Sequence, residues 1–349
     1  PEARCPGGRG LRTVRIMATT SVDRTDHPFI RQGASGARVT HPVLVIVLAQ
    51  LLYLVGVLPG MLLLMPLAER LREASGPGAA TAVIEIAAML LNYVFPYVAL
   101  WLWLRYVERR TFFSSTGFAF NRRALTGLLA GCGLALVFVA AWIGISLAAG
   151  TVVFEGALAS GGAGMVWILV GGMLMLLLRI VMIGIEEQLY RGWMLQAVGL
   201  RWGRAAGVLV SSVFFALMHF FFIGTYLLPD GRSHEPHWVL MLNITLWAVF
   251  AALVTLRTGS LWAATGFHAA ALILPGFLLG VFPAGQAEQA MGFLVFLIEE
   301  PGYYTGGAGF AGLFEGLPAT LVLAVLVAGT AALERWRPRR HPATAPGQE

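Results

Sequence analysis

Few side chains in this sequence can do chemistry inside an apolar setting, and those that can fall in three short blocks. Glu186 and Glu187 are adjacent at the end of a long apolar stretch, Arg191 follows Glu187 by four residues, and His219 and His268 lie inside two later apolar stretches. Peptide hydrolysis needs an activated water, a donor for the developing oxyanion and a proton for the leaving amine. Carboxylates and imidazoles supply these without a serine or cysteine nucleophile. At about 100° per residue, Glu187 and Arg191 share a helix face with the acid before the base, the order that favours an ion pair. Glu186 points to a different face, which Arg179 and Tyr190 share. Neighbouring carboxylates with unequal partners take separate jobs, one structural and one chemical. One glutamate and two histidines on three helices suit either a metal or a water, and each histidine taken singly also reads as an interhelical hydrogen-bonding residue.

The frame that must hold these groups is set by composition. Of 349 residues, 58% are hydrophobic, only 12% are charged, and there are 42 glycines. Soluble domains are about 25% charged, so disordered, nucleic-acid-binding and disulfide-rich secreted classes are excluded. Cys5 and Cys132 are too few for a disulfide framework. Eight stretches are apolar over about 20 residues, the length of a membrane span: 43–65, 82–104, 124–149, 164–185, 205–224, 238–256, 260–282 and 316–333. The fourth reads as a helix that continues past Glu186 to Val198, because no breaker intervenes. No cleavable signal peptide is evident.

Every one of the 24 basic residues is arginine. With alternating loops assigned to opposite sides, 20 fall on the side of the N-terminal tail and 3 on the other, which places both termini in the cytoplasm. The predicted fold is therefore an all-α polytopic bundle of about eight transmembrane helices in the inner (plasma) membrane. It divides into a polar tail over 1–41, N-terminal membrane helices over 42–160, a core over 161–333 and a basic tail over 334–349. Residues 1–16, ahead of Met17, read as upstream sequence. Residues 283–315, with runs Phe293 to Ile298 and Gly306 to Gly312, read as a re-entrant or interfacial segment. Expected partners are membrane lipid and a membrane-associated peptide or protein, with no nucleic acid. A charge within a span costs roughly 2.5–3.5 kcal/mol on insertion scales. This singles out Glu85, Arg179, Glu186, Glu187, Arg191, His219 and His268, with Glu85 read as a helix-start acid.

The spacing of these residues resembles a known family. Glu186-Glu187-Gln188-Leu189-Tyr190-Arg191 is similar to the EExxxR motif, and Phe215-Ala216-Leu217-Met218-His219 to the FxxxH motif, of the CPBP intramembrane proteases, also called the CAAX protease or Abi family. Arg191-Gly192-Trp193 and the run from Arg257 to Trp262 leading into His268 match the motif context. The resemblance is strong over about 165–275 and loose elsewhere. It implies an endopeptidase with its site inside the bilayer. The counterpart of Glu186 is the general base, that of His219 holds the water, and that of His268, with an asparagine four residues later, donates to the oxyanion. The later position is Leu272 here. Asn243, in the sixth stretch, is the candidate substitute. Glu187, Arg191 and Phe215 are read as supporting residues.

Other chemistries fit less well. Aspartyl intramembrane proteases need two membrane aspartates, whereas Asp23, Asp26 and Asp230 all fall in tails or loops. His234-Glu235-Pro236-His237 is too short for HExxH, Gly33-Ala34-Ser35-Gly36 precedes every span, and the GxGxxG at Gly307 to Gly312 has no strand before it. Gly56/Gly60 and Gly127/Gly131 read as helix-packing pairs. No cofactor is predicted, and zinc on Glu186, His219 and His268 is the alternative. Rival readings are a catalytically weak or inactive scaffold or immunity-type protein of the same fold, which Leu272 favours, and a proton-coupled transporter.

Overall fold

Backbone groups in lipid have to be satisfied within their own segment, and each of the eight apolar stretches contains a helix. The computed structural model describes residues 27–76, 78–157, 162–225, 238–283, 293–299, 302, 304–305 and 316–335. In chain order the helices are α1 (Pro28–Arg31), α2 (Pro42–Pro59), α3 (Met65–Ser75), α4 (Ala79–Leu102), α5 (Arg122–Ala148), α6 (Gly162–Glu187), α7 (Leu195–Trp202), α8 (Arg204–Thr225), α9 (Trp238–Thr258), α10 (Trp262–Ile273) and α11 (Leu317–Arg335). Among the described residues five helical stretches are long and apolar enough to cross a membrane: Val83–Glu108, Arg122–Ala148, Ile168–Trp202, Trp238–Thr258 and Leu317–Glu334. Pro42–Gly56 and Arg204–His219 are shorter apolar helices. The chain is a membrane protein.

The all-α expectation needs one correction. Three strands, β1 (Val152–Ala157), β2 (Val281–Pro283) and β3 (Leu294–Ile298), form a sheet in the order β1-β3-β2, with β1/β3 antiparallel and β2/β3 parallel. The run Phe293 to Ile298 is thus largely a strand, because β-branched and aromatic residues pair edge to edge where helix length is lacking. The near-HExxH run at 234–237, the Gly306 to Gly312 run, residues 1–26 and the tail beyond Arg335 lie outside the described residues. Glu85 pairs with Arg72 at the bundle's edge.

Helix α10 is seated by glycines. A Cβ on Gly131 of α5 would stand 2.2 Å from the Ala263 carbonyl oxygen, and one on Gly266 of α10 would stand 2.3 Å from that of Leu128. The Gly127/Gly131 pair packs within the bundle, as its spacing predicts, and Gly56 does the same against Pro96, where a Cβ would stand 2.5 Å from the ring. Backbone cannot yield the way a flexible side chain can. Gly131→Ala is therefore expected to push α10 off α5 and cost about 1–3 kcal/mol, read as a lowered thermal midpoint of the detergent-purified protein. An unchanged midpoint would contradict this packing.

The end of the N-terminal tail is part of the folded body. Phe29 and Ile30 of α1 are fully buried, and Ile30 covers Gly199 of α7. Beside them Glu108 accepts from Thr40, from Trp193 Nε1 at 2.8 Å and from Arg110 Nε at 2.6 Å. Arg110 also donates to Gln196 Oε1 at 2.8 Å, and Gln196 donates to the Ser115 carbonyl at 2.9 Å and that of Phe29 at 3.2 Å. Burial lowers the Arg110 pKa, and the Glu108 carboxylate opposes that shift. A buried ion pair is tolerable when its remaining polar groups are bonded in this way, and this one ties the tail and the 109–117 loop to the helix that carries the glutamate pair.

Candidate active site

Helix α6 changes character along its length. Its outer residues Leu169, Met173, Leu174 and Leu177 are exposed, whereas every residue from Met182 to Leu200 is buried. The helix does continue past Glu186, through a π-helical segment, Gln188–Met194, into α7. Wider turns of this kind recur at functional sites, because they re-aim side chains without breaking the helix. Gln188 and Gly192 brace the segment on the 109–117 loop: the Gln188 amide donates to Thr116 Oγ1 at 2.9 Å, and a Cβ on Gly192 would lie 2.8 Å from the Thr116 carbonyl oxygen.

The two glutamates take different partners. Glu187 is fully buried between a base and an imidazole: its Oε2 lies 3.4 Å from Arg191 Nε, and its Oε1 lies 2.9 Å from His268 Nδ1. Arg191 is also fully buried, with its guanidinium 3.8 Å above the Phe215 ring. Its Nη1 and Nη2 have no hydrogen-bond partner among the described residues. Glu187, the neighbouring Glu186 carboxylate and the aromatic face compensate its charge.

Glu186, 3% exposed, is held by tyrosines from the first two long helices. Tyr53 of α2 donates to Glu186 Oε1 at 2.7 Å, and Tyr93 of α4 reaches the same oxygen at 3.5 Å. The other oxygen, Oε2, is buried with no hydrogen bond among the described residues. Tyr190, expected on the same face, donates instead to Gln50 Oε1 at 3.2 Å. The π-helical segment begins at Gln188 and changes the angle per residue, so the regular i+4 relation no longer applies.

Phe215 is the hub around which the other groups gather. Its ring centroid lies 4.5 Å from that of His219, 5.9 Å from His268 and 5.2 Å from Tyr190. His219 Nδ1 lies 2.9 Å from the Phe215 carbonyl oxygen, one turn back on its own helix. Trp247 packs edge-on to His268 at 5.1 Å and stacks on Phe267 at 4.2 Å, fixing α10 from behind. The structure thus brings Glu187, Arg191, Phe215, His219 and His268 together, with Glu186 beside them.

Three expectations fare differently. Asn243 does not stand free for an oxyanion: its amide donates to the Gly316 carbonyl at 3.0 Å and accepts from Thr320 Oγ1 at 2.5 Å, joining α9 to α11. Leu272 is 40% exposed, whereas His268 one turn earlier is 5% exposed. The zinc set Glu186, His219 and His268 does not assemble as ligands, since among the described residues no group of three or more His, Cys, Asp or Glu is placed to hold a metal ion.

Sequence reasoning missed Tyr53, Tyr93 and Gln50. The available signal was a phenol or amide inside an apolar span, where a polar group has to find a partner. No curated protein and no solved structure matches the chain. The segment that carries both motifs and His268, residues 165–274, matches the family model described as Type II CAAX prenyl endopeptidase Rce1-like.

Proposed function

We propose that this protein is an intramembrane endopeptidase that hydrolyses a peptide bond of a membrane-associated protein or peptide by way of a glutamate-activated water. The observation that carries the reading is the division of labour between the two glutamates. Glu187 is paired with Arg191 and His268, whereas Glu186 is held by neutral tyrosines at Oε1, and its Oε2 has neither a hydrogen bond nor an ion pair among the described residues. In this reading Glu186 Oε2 takes a proton from water, and the resulting hydroxide attacks the scissile carbonyl. His219 orients that water. His268, whose Nδ1 is set by Glu187, donates to the oxyanion through its other ring nitrogen, Nε2. The proton held by Glu186 then passes to the leaving amine, and the carboxylate is restored.

The finer topology belongs to the same proposal. Eight spans, both termini in the cytoplasm and residence in the inner membrane of a bacterium follow from the apolar stretches, the arginine distribution and the arginine-only, alanine- and glycine-rich usage. The substrate class is a membrane-associated peptide segment, with no residue here that specifies a prenyl group.

A second reading, a catalytically weak protein of the same fold, is favoured by Leu272 and by the engagement of the Asn243 amide. One experiment separates the two. Detergent-purified wild type and Leu272→Asn are each given a quenched peptide library. The protease reading expects cleavage by wild type and a rise of about 100-fold in Leu272→Asn, on the scale of one oxyanion donor. No cleavage by either folded protein favours the weak or inactive reading.

A further inference from the structure

We infer that Tyr53, backed by Tyr93, is the positioning residue that orients Glu186 and leaves Oε2 as its working oxygen. The inference rests on the proposed role of Glu186 and extends the site beyond the segment that carries the family motifs. A phenol inside an apolar span needs a partner for its hydroxyl, and Tyr53, 5% exposed, finds it on Glu186 Oε1 at 2.7 Å. Hydroxyl bonds to a carboxylate are short and strong. Tyr93 approaches the same oxygen at 3.5 Å and packs edge-on against the Tyr53 ring at 6.3 Å, so both donors converge on Oε1. The carboxylate is thereby made asymmetric. One oxygen is occupied, its rotation is restrained, and the other is left for water.

The position of Tyr53 is itself fixed. Gln50, one turn earlier on α2, accepts from Tyr190 at 3.2 Å and donates to the Phe214 carbonyl at 2.7 Å, so α2 is tied to the helix of the glutamates and to the helix of His219. Tyr97 on α4 donates to the Val181 carbonyl at 2.6 Å and lies over Gly184, where a Cβ would stand 2.5 Å from its hydroxyl. Both tyrosine-bearing helices are thus latched within one or two turns of Glu186. Neither residue falls within 165–274, the matched segment.

The test compares full-length wild type, Tyr53→Phe, Tyr93→Phe and Glu186→Gln in detergent. Tyr53→Phe keeps the ring and removes the donor alone. It is expected to lower kcat about 10-fold with KM within twofold, a split that a general loosening of the fold does not produce. Tyr93→Phe, whose hydroxyl is farther away, is expected to fall less. The carboxylate stretching bands of Glu186, obtained as the infrared difference between wild type and Glu186→Gln, are expected to shift in Tyr53→Phe. This arm needs no substrate. Bands that do not move in Tyr53→Phe overturn the inference, as does an unchanged kcat alongside an inactive Glu186→Gln. Cleavage that survives in Glu186→Gln overturns the proposed function instead. If Tyr53→Phe fails to fold, the bands of Tyr93→Phe decide in its place.

Discussion

Glu186→Gln is expected to reduce cleavage by about 10²–10⁴-fold, the span of a lost general base, while the protein stays folded. Glutamine has the shape of glutamate, and its side-chain carbonyl can still accept from Tyr53, whose hydroxyl lies 2.7 Å from Oε1. The amide that replaces Oε2 cannot take a proton from water. The loss should therefore appear in kcat, measured at saturating peptide, with helicity and thermal midpoint close to wild type. A variant that retains wild-type turnover would remove Glu186 from the chemistry and with it the whole mechanism.

Glu187→Ala is expected to have the largest effect on stability. It removes the ion-pair partner of the fully buried Arg191 guanidinium, which keeps the Phe215 face at 3.8 Å and the Glu186 charge. Removing one partner of a buried ion pair costs about 3–5 kcal/mol, because the remaining charge stays out of water uncompensated. Removing both is cheaper. Arg191→Met combined with Glu187→Ala is therefore expected to recover much of the stability lost in Glu187→Ala alone, a non-additive result that chemical or thermal unfolding in detergent can read. The double variant should still be inactive, since His268 loses the carboxylate 2.9 Å from its Nδ1 that sets its ring. Additive losses in the double variant would mean that the pair does not carry its charge balance in this way.

What was legible in the sequence follows the range of each interaction. The relation of Glu187 to Arg191 depends on four residues of one helix, and the structure places them 3.4 Å apart. The step from Phe215 to His219 is equally local, and their rings are in contact at 4.5 Å. The partners of Glu186 were not legible, because they come from α2 and α4, more than 90 residues earlier. A lone tyrosine in an apolar span signals that a partner exists without saying which. The π-helical segment after Glu187 left no mark either: Gln188 to Met194 contains no proline, and the change of angle that turns Tyr190 toward Gln50 arises from packing. The strand Leu294–Ile298 was hidden for a different reason, since a five-residue apolar run has no period that separates strand from buried helix. Phe29 and Ile30 sit in a polar stretch whose composition suggested a tail, and their burial depends on Gly117 leaving room for Phe29 and Gly199 for Ile30.

The proposed reaction is the hydrolysis of peptide bonds at the Glu186 site. The most direct measurement is the mass spectrum of a membrane-peptide library incubated with wild-type protein reconstituted in vesicles, with Glu186→Gln vesicles as the control. Fragment pairs that sum to the parent peptide plus one water are expected with wild type and not with the control. Intact peptides with wild type, or the same fragments from both proteins, would contradict the proposed reaction.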